Sequence, residues 1–198
     1  MTEVAILTFD GFNELDSFGA STIVNRCRKQ GLSAWITTPT PTVTSMNGVR
    51  LTGQRPIEFA AEADVVLIGS GNRTREFVAE PGFLEAIRLS PDRQLIGSQC
   101  SGALVLAGLG LLGQAPACTD PITRPHLEAR GVRVLDTPFH AEGNLATAGG
   151  CLASRYLAGW VILRTLGEEA VRETFAYVAP VGEEKATVEQ ILEVVQAA

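Results

Sequence analysis

Cys100 stands in the stretch Leu95-Ile96-Gly97-Ser98-Gln99-Cys100-Ser101-Gly102-Ala103-Leu104-Val105-Leu106, between an apolar segment that reads as a strand and one that reads as a helix. A tight strand-to-helix turn with small neighbours projects a side chain into the open and turns the first free helix N–H groups toward whatever it attacks. Those amides and the positive end of the helix dipole favour a thiolate and can hold an oxyanion. The chemistry indicated is attack by sulfur on an electrophilic carbon. A cysteine at a strand end is also an ordinary packing residue, and both readings stand on this stretch alone.

The partners available to such a sulfur are few. The chain has two histidines, His126 and His140, and its four cysteines, Cys27, Cys100, Cys118 and Cys151, are scattered without a CxxC pair or a histidine at metal-ligand spacing. No zinc site is expected, and in a reducing cytoplasm the thiols are expected to be free. Cys118 closes a short predicted strand and Cys151 opens a helix after Gly149-Gly150, which places both near the same pocket. Cys151 at a helix start could be activated and pair with Cys100, although half-buried free thiols are the preferred reading, and Cys27, mid-helix, reads as packing.

The elements that must position Cys100 alternate. Val4 to Phe9 reads as a buried strand, Glu14 to Gln30 as a helix ended by Gly31, and Ala34 to Thr37 as a second strand. Val43 to Leu51 reads as a hairpin turning at Asn47-Gly48, and Asp64 to Ile68 as a third core strand closing in Gly69-Ser70-Gly71. A helix follows over Thr74 to Leu89, then the strand Gln94 to Ser98 and the helix after Cys100. Beyond the glycines 108, 110 and 113, the pattern predicts a short strand at Ala117 to Thr119, a helix from Arg124 to Arg130 and a strand at Val132 to Leu135. A second hairpin turns at Glu142-Gly143-Asn144, and helices are predicted over Leu152 to Leu166, Glu168 to Tyr177 and Lys185 to Gln196. Strands apolar on both faces that alternate with helices indicate an α/β three-layer sandwich, flavodoxin-like, with a mostly parallel central sheet and antiparallel hairpin additions. In such sheets ligands bind beyond the carboxyl ends of the strands, which gathers Phe9 to Asp16, Gly69 to Asn72, Ser98 to Ser101 and Cys118 to Asp120 into one region.

The 198 residues, 45% of them hydrophobic, are enough for one domain with a substantial core. A net charge of −6 argues against nucleic acid or an anionic membrane as the main partner. Met1 to Phe9 lacks the basic flank and cleavage site of a secretory signal, and no segment approaches the ~20 unbroken apolar residues of a membrane span, so a cytoplasmic protein acting on a small molecule is expected. The glycine-rich stretches lack phosphate-cradle spacing and aromatic residues are only 6%, so neither a nucleotide nor any other cofactor is expected.

In order and spacing, the acidic stretch Phe12-Asn13-Glu14-Leu15-Asp16, the Asn47-Gly48 hairpin, Asp64 to Gly71, the Cys100 elbow and the hairpin Glu142 to Gly150 resemble the ThiJ/PfpI family of the class I glutamine amidotransferase-like fold. The resemblance covers roughly Val4 to Val181. It divides the chain into a single domain over residues 1–182 and a C-terminal helical extension over 183–198, read as a docking helix for a partner subunit or a frayed end. Leu15-Asp16 with Gly19 close behind, and a cysteine followed by a small hydroxyl residue and glycine, look most like the isocyanide hydratase branch.

The resemblance implies roles by position. Asp16 matches an acidic side chain of the first helix that approaches the elbow cysteine. An ionised carboxylate there raises the thiol pKa by like-charge repulsion, whereas a protonated one donates to the thiolate and shuttles a proton, as hydration chemistry without histidine needs. Glu14 is the alternative acid if the helix phase differs, and a solvated residue at a helix start is the bland reading of Asp16. Gly71 matches a glycine whose amide joins that of the residue after the nucleophile, here Ser101, in an oxyanion hole, although Gly69-Ser70-Gly71 departs from the more common Pro-Gly-Gly. Many members carry a histidine after a threonine past the elbow helix. Here Thr119 is followed by Asp120, which weakens a protease or amidase reading and leaves Asp120 as a second acid or a helix cap.

The function expected from this resemblance is a cysteine-dependent enzyme, isocyanide hydratase-like, that forms a thioimidate on Cys100, with Asp16 as acid/base, Gly71 and Ser101 as amide donors, and Thr119 and Asp120 at the substrate. A glyoxalase-like dicarbonyl hydratase fits the same parts. The reading from another class is a ligand or redox sensor module, since related domains precede DNA-binding helices in AraC-type regulators. The resemblance also implies a homodimer.

Overall fold

The structure is a computed structural model that describes residues 1–197. Its main sheet has seven strands: β1 (Thr2–Leu7), β2 (Leu32–Thr38), β5 (Arg55–Pro56), β6 (Val65–Ile68), β7 (Leu95–Gln99), β8 (Phe139–Glu142) and β9 (Leu145–Ala148). They lie in the order β5-β2-β1-β6-β7-β9-β8, and all neighbours are parallel except β8 and β9. A separate antiparallel pair, β3 (Thr42–Thr44) and β4 (Arg50–Thr52), forms the Asn47-Gly48 hairpin.

Strand alternation divides the core in two. Val4, Ile6, Val65 and Leu67 point to one face, where α1 (Glu14–Val24), α7 (Ser154–Leu166), α8 (Glu168–Val178) and α9 (Glu184–Gln196) pack. Ala5, Leu7, Val66 and Ile68 point to the other, covered by α2 (Phe59–Glu62), α3 (Thr74–Ala79), α4 (Pro81–Ala86) and α5 (Gly102–Gly108), while α6 (Arg124–Glu128) sets Leu127 against Leu104 of α5. A strand buried on both faces cannot alternate apolar and polar residues, which is why β1 and β6 read as continuous apolar runs. This is the three-layer, mostly parallel architecture expected.

Several expectations shift at element ends. The helix predicted to Gln30 becomes a 3₁₀ turn from Asn25, whose side-chain amide holds the N–H and C=O of Ala34 at 3.0 Å each and so ties the helix end to β2. The helix predicted over Thr74 to Leu89 is broken at Pro81, which cannot continue the hydrogen-bond ladder and instead opens α4. The strands predicted at Ala117 to Thr119 and Val132 to Leu135 shrink to one bridge, Ala117 to Val134, because the Cys118 N–H bonds the Thr147 hydroxyl at 2.8 Å instead of a neighbouring strand. The last helix is not a frayed end: Val188, Ile191, Leu192 and Val195 of α9 are buried in the core shared with α7.

Candidate functional site

Three strand ends converge on Cys100. β7 delivers it, β6 delivers Ser70 and Gly71 next door, and β1 leads through Phe12 to the start of α1. Phe12 bridges to Gly71, and the Asn13 N–H bonds the Ser70 carbonyl at 2.8 Å, so the loop bearing Asp16 is pinned to the loop bearing Gly71. The Asn13 carboxamide oxygen accepts from the Leu15 N–H at 3.1 Å and caps α1. Asp16 follows on the inner face of the first turn.

Cys100 has φ 45°, the one positive φ at a non-glycine among the described residues. A left-handed conformation at a side-chain-bearing residue costs free energy of order 1–2 kcal/mol and marks a strained elbow. Its N–H is tied to the Ala148 carbonyl at 2.8 Å and its carbonyl accepts from the Thr119 hydroxyl at 2.8 Å. The backbone is therefore held on both sides while the thiol is 3% exposed.

Asp16 is 2% exposed. One of its carboxylate oxygens accepts from the Ser70 hydroxyl, and the other is buried without a hydrogen-bond partner. A carboxylate oxygen of Asp16 and the sulfurs of Cys100 and Cys151 all lie within 4.8 Å of one another. By donor type this trio could also hold a soft metal ion. Glu14, the alternative acid, is engaged elsewhere: its carboxylate bonds the Ser45 hydroxyl and the Asn47 amide of the β3–β4 hairpin, which hold its pKa below the ordinary carboxylate value.

Burial pushes the Asp16 carboxyl above its ordinary value, against the hydrogen bond from Ser70. Burial and then the Asp16 charge push the Cys100 thiol far up. The helix N-terminus was expected to favour a thiolate. In this enclosed position desolvation and the like charge of Asp16 act against it.

The amides differ from expectation. The Ser101 N–H has no acceptor among the described residues, as an oxyanion donor requires. The Gly71 N–H is occupied: it donates to the Ser101 hydroxyl at 3.1 Å, and that hydroxyl also contacts Thr74 Oγ1 at 2.8 Å. A Cβ at Gly71 would collide with the Gly11 carbonyl, so the glycine is required by close backbone approach. Thr119 holds the Cys100 carbonyl and is thus a support of the elbow. Asp120 accepts from the Ile122 and Thr123 N–H groups at 2.9 and 3.0 Å and caps the turn before α6. Neither histidine joins the site: His126 contacts Arg75 at 2.9 Å, and His140 lies on β8.

Sequence reasoning missed Ser70, Gln99 and Asn13. The Gln99 amide donates to the Gly150 carbonyl at 2.7 Å and lies 3.5 Å from Cys100 Sγ, and the Asn13 amide donates to Cys151 Sγ at 3.1 Å. Ser70 alone had a signal, as a hydroxyl in a loop of otherwise small residues. A cavity of about 1050 Å³ lies away from the elbow, as a groove along the outer face of α1 lined by Leu15, Phe18, Thr22, Tyr177 and Gln190 among others. Asp16 faces away from it, so that volume says nothing about what reaches Cys100.

A strained cysteine elbow at the carboxyl edge of a mostly parallel sheet, faced by a buried carboxyl from the first helix, defines an α/β protein of the DJ-1 fold. The chain belongs to the DJ-1/PfpI family, whose model matches residues 2–162, and that superfamily includes cysteine-dependent enzymes. Among solved structures, Schizosaccharomyces pombe DJ-1 superposes with TM-score 0.77 at 18% identity, over 90% of this chain and 100% of that one. A ThiJ/PfpI family protein from Pseudomonas syringae gives 0.72 at 20% identity, over 98% and 88%. Drosophila melanogaster DJ-1beta gives 0.76 at 20% identity, over 87% and 95%. No curated protein matches the chain. No helix among the described residues is long and apolar enough to cross a membrane.

Proposed function

We propose that the protein is a cysteine-dependent hydratase of small carbon electrophiles, with an isocyanide as substrate and an N-formamide as product. The observation that carries this reading is the pairing of a buried thiol with a buried carboxyl and no histidine. Acyl transfer from an amide needs an acid that can protonate an amine leaving group, usually histidine. Hydration of an isocyanide expels no amine. It needs a nucleophile, one proton for carbon, and a base for water, and one carboxyl can serve for the last two.

The reaction follows from these parts. The Asp16 carboxylate takes the Cys100 proton as sulfur attacks the terminal isocyanide carbon, forming the C–S bond. The Asp16 carboxylic acid then delivers that proton to the same carbon, giving a thioimidate. Asp16, again ionised, removes a proton from water as the hydroxyl adds to the thioimidate carbon and passes that proton to nitrogen. Collapse to the formamide breaks the C–S bond, and Asp16 carries the released hydroxyl proton back to the Cys100 sulfur. In this reading the Ser101 N–H, which has no acceptor among the described residues, donates to charge developing beside the sulfur, and the Ser101 hydroxyl exchanges its bond with the Gly71 N–H for one to substrate. A dicarbonyl would meet the same groups, with its carbonyl oxygen on Ser101.

We further propose a cytoplasmic homodimer: the four cysteines are free, which suits a reducing compartment, and the apolar groove along α1 exposes Leu15 and Tyr177 at 56% and 70%. The test of the activity is consumption of an aryl isocyanide with formamide release by wild type and not by Cys100→Ala. Turnover of a dicarbonyl alone would move the reading to that substrate class, and turnover of neither would overturn it.

A further inference from the structure

Cys151 is not used by the reaction above, yet its sulfur, the Cys100 sulfur and an Asp16 oxygen lie within 4.8 Å of one another. We infer that Cys100 and Cys151 form a redox-active dithiol, in which a small hydroperoxide oxidises Cys100 and Cys151 closes a disulfide with it. The inference goes beyond the hydratase reading and does not depend on the substrate.

Sheet register brings the pair together. β7 and β9 are parallel neighbours with Gln99 opposite Ala148, so the chain leaves the two strands with Cys100 beside Gly149-Gly150-Cys151. The Gln99 side chain bonds the Gly150 carbonyl at 2.7 Å and fixes this approach. A disulfide requires the sulfurs to close to ~2.05 Å, a movement that must come from χ1 rotation and a small backbone shift. Gly150 supplies freedom for it, with φ 88° and no atom within 4 Å of where a Cβ would be. Cys151 is also the only one of the four cysteines that is not fully buried, so it can swing without opening the core. The other two have partners elsewhere: Cys27 contacts Thr174 Oγ1 at 3.1 Å and Cys118 contacts Thr137 Oγ1 at 3.4 Å.

The groups around the sulfurs suit each step. As Cys100 sulfur attacks the distal oxygen of the hydroperoxide, Asp16 takes the thiol proton and passes it to the leaving alkoxide, so an alcohol departs and Cys100 becomes a sulfenic acid. The Cys151 sulfur, which accepts from the Asn13 amide at 3.1 Å, then attacks the sulfenic sulfur. Its thiol proton, taken by Asp16, leaves with the hydroxyl as water, and the disulfide forms. The pair has lost two electrons and two protons, and the peroxide has been reduced to alcohol and water. A small dithiol reductant returns both thiols by exchange. In the disulfide the nucleophile is blocked, so the dithiol turns the elbow off reversibly instead of letting it proceed to the irreversible sulfinic acid.

The test treats the purified full chain with a small molar excess of hydrogen peroxide, more than two equivalents, and follows intact mass and cysteine-containing peptides, with no activity readout involved. Wild type is expected to lose the mass of two hydrogens, to yield a Cys100–Cys151 linked peptide, and to regain both thiols with dithiothreitol. In Cys151→Ser, Cys100 is expected to gain two oxygens under the same dose and not to be restored, while Cys118→Ser behaves as wild type. Wild type that accumulates oxygen on Cys100 with Cys151 still open to alkylation overturns the proposal, as does linkage of Cys100 to any other cysteine. So does wild type whose Cys100 stays unmodified under that dose.

Discussion

Asp16 and Cys100 meet with almost no water around either: the carboxyl is 2% exposed, the thiol 3%, and a carboxylate oxygen stands within 4.8 Å of the sulfur. Burial raises the pKa of both groups and the Asp16 charge raises that of Cys100 further, so neither ionises without cost. A pair of this kind passes one proton between its members more easily than it gives that proton to solvent. This is the property a hydratase without histidine requires.

The strain at Cys100 separates chemistry from stability. Cys100→Ala keeps the left-handed backbone with a Cβ, and Cys100→Gly relieves it. Both are expected to lower turnover at least ~10³-fold. The glycine variant is expected to be the more stable of the two by about 1 kcal/mol in thermal or urea unfolding. Equal stabilities would show that the elbow is not strained.

Asp16→Asn keeps an acceptor for Ser70 but removes the charge and the proton carrier. Turnover is expected to fall by about 10²- to 10⁴-fold. The pKa of Asp16 is raised in the folded state by burial, so its favourable contribution is complete below the unfolded value of 3.8 and is lost as pH rises through the higher folded value. Above pH 3.8 burial of this carboxyl therefore costs the wild type stability that Asp16→Asn does not lose. The variant is expected to unfold at a higher temperature at pH 7, with the difference fading toward pH 3. A variant less stable at pH 7 would mean that the carboxylate is better compensated than its surroundings indicate.

Ser70 donates the one conventional hydrogen bond to Asp16, and that bond lowers the carboxyl's pKa. In Ser70→Ala the acidic limb of the kcat/KM profile is expected to move to higher pH with little change in the plateau. A loss of plateau activity without movement of the limb would assign Ser70 to packing only.

Thr119 and Asp120 were both expected at the substrate; Thr119 holds the Cys100 carbonyl, and Asp120 caps a turn while its charge reaches Asp16 and Cys100. Thr119→Val removes the donor to the Cys100 carbonyl and is expected to cost about 1–3 kcal/mol of stability and to lower kcat more than it raises KM. Asp120→Ala removes a turn cap and is expected to cost about 0.5–2 kcal/mol with kcat/KM nearly intact. A large rise in KM for Asp120→Ala would restore it to the substrate.

The fold was legible because the strands buried on both faces, Val4 to Leu7 and Val65 to Ile68, leave unbroken apolar runs, and because Asn47-Gly48 and Gly143 punctuate hairpins. Cys100 was legible as a candidate from its own stretch, an elbow flanked by small residues, and Asp16 as its neighbour through the resemblance, from an acid in the first turn of a helix. What could not be read was the direction in which groups already paired would point. The Gly71 amide was expected to be free, but Ser101 occupies it; nothing in Gly69-Ser70-Gly71 specifies that partner. Asn13 and Gln99 look like loop and strand polars, and only the register of β7 against β9 puts the Gln99 amide between Cys100 and Gly150. Cys151, which the helix start after Gly149-Gly150 had already placed near the pocket, is close to Cys100 for the same reason.

The most direct test is intact-mass analysis of the protein quenched in acid within the first turnovers of an aryl isocyanide, with formamide followed in parallel. Wild type is expected to carry one substrate mass on the Cys100 peptide and to release formamide, Asp16→Asn to form little adduct, and Cys100→Ala none. Formamide release by wild type with no adduct on Cys100, or undiminished release by Cys100→Ala, would contradict a reaction through the elbow sulfur.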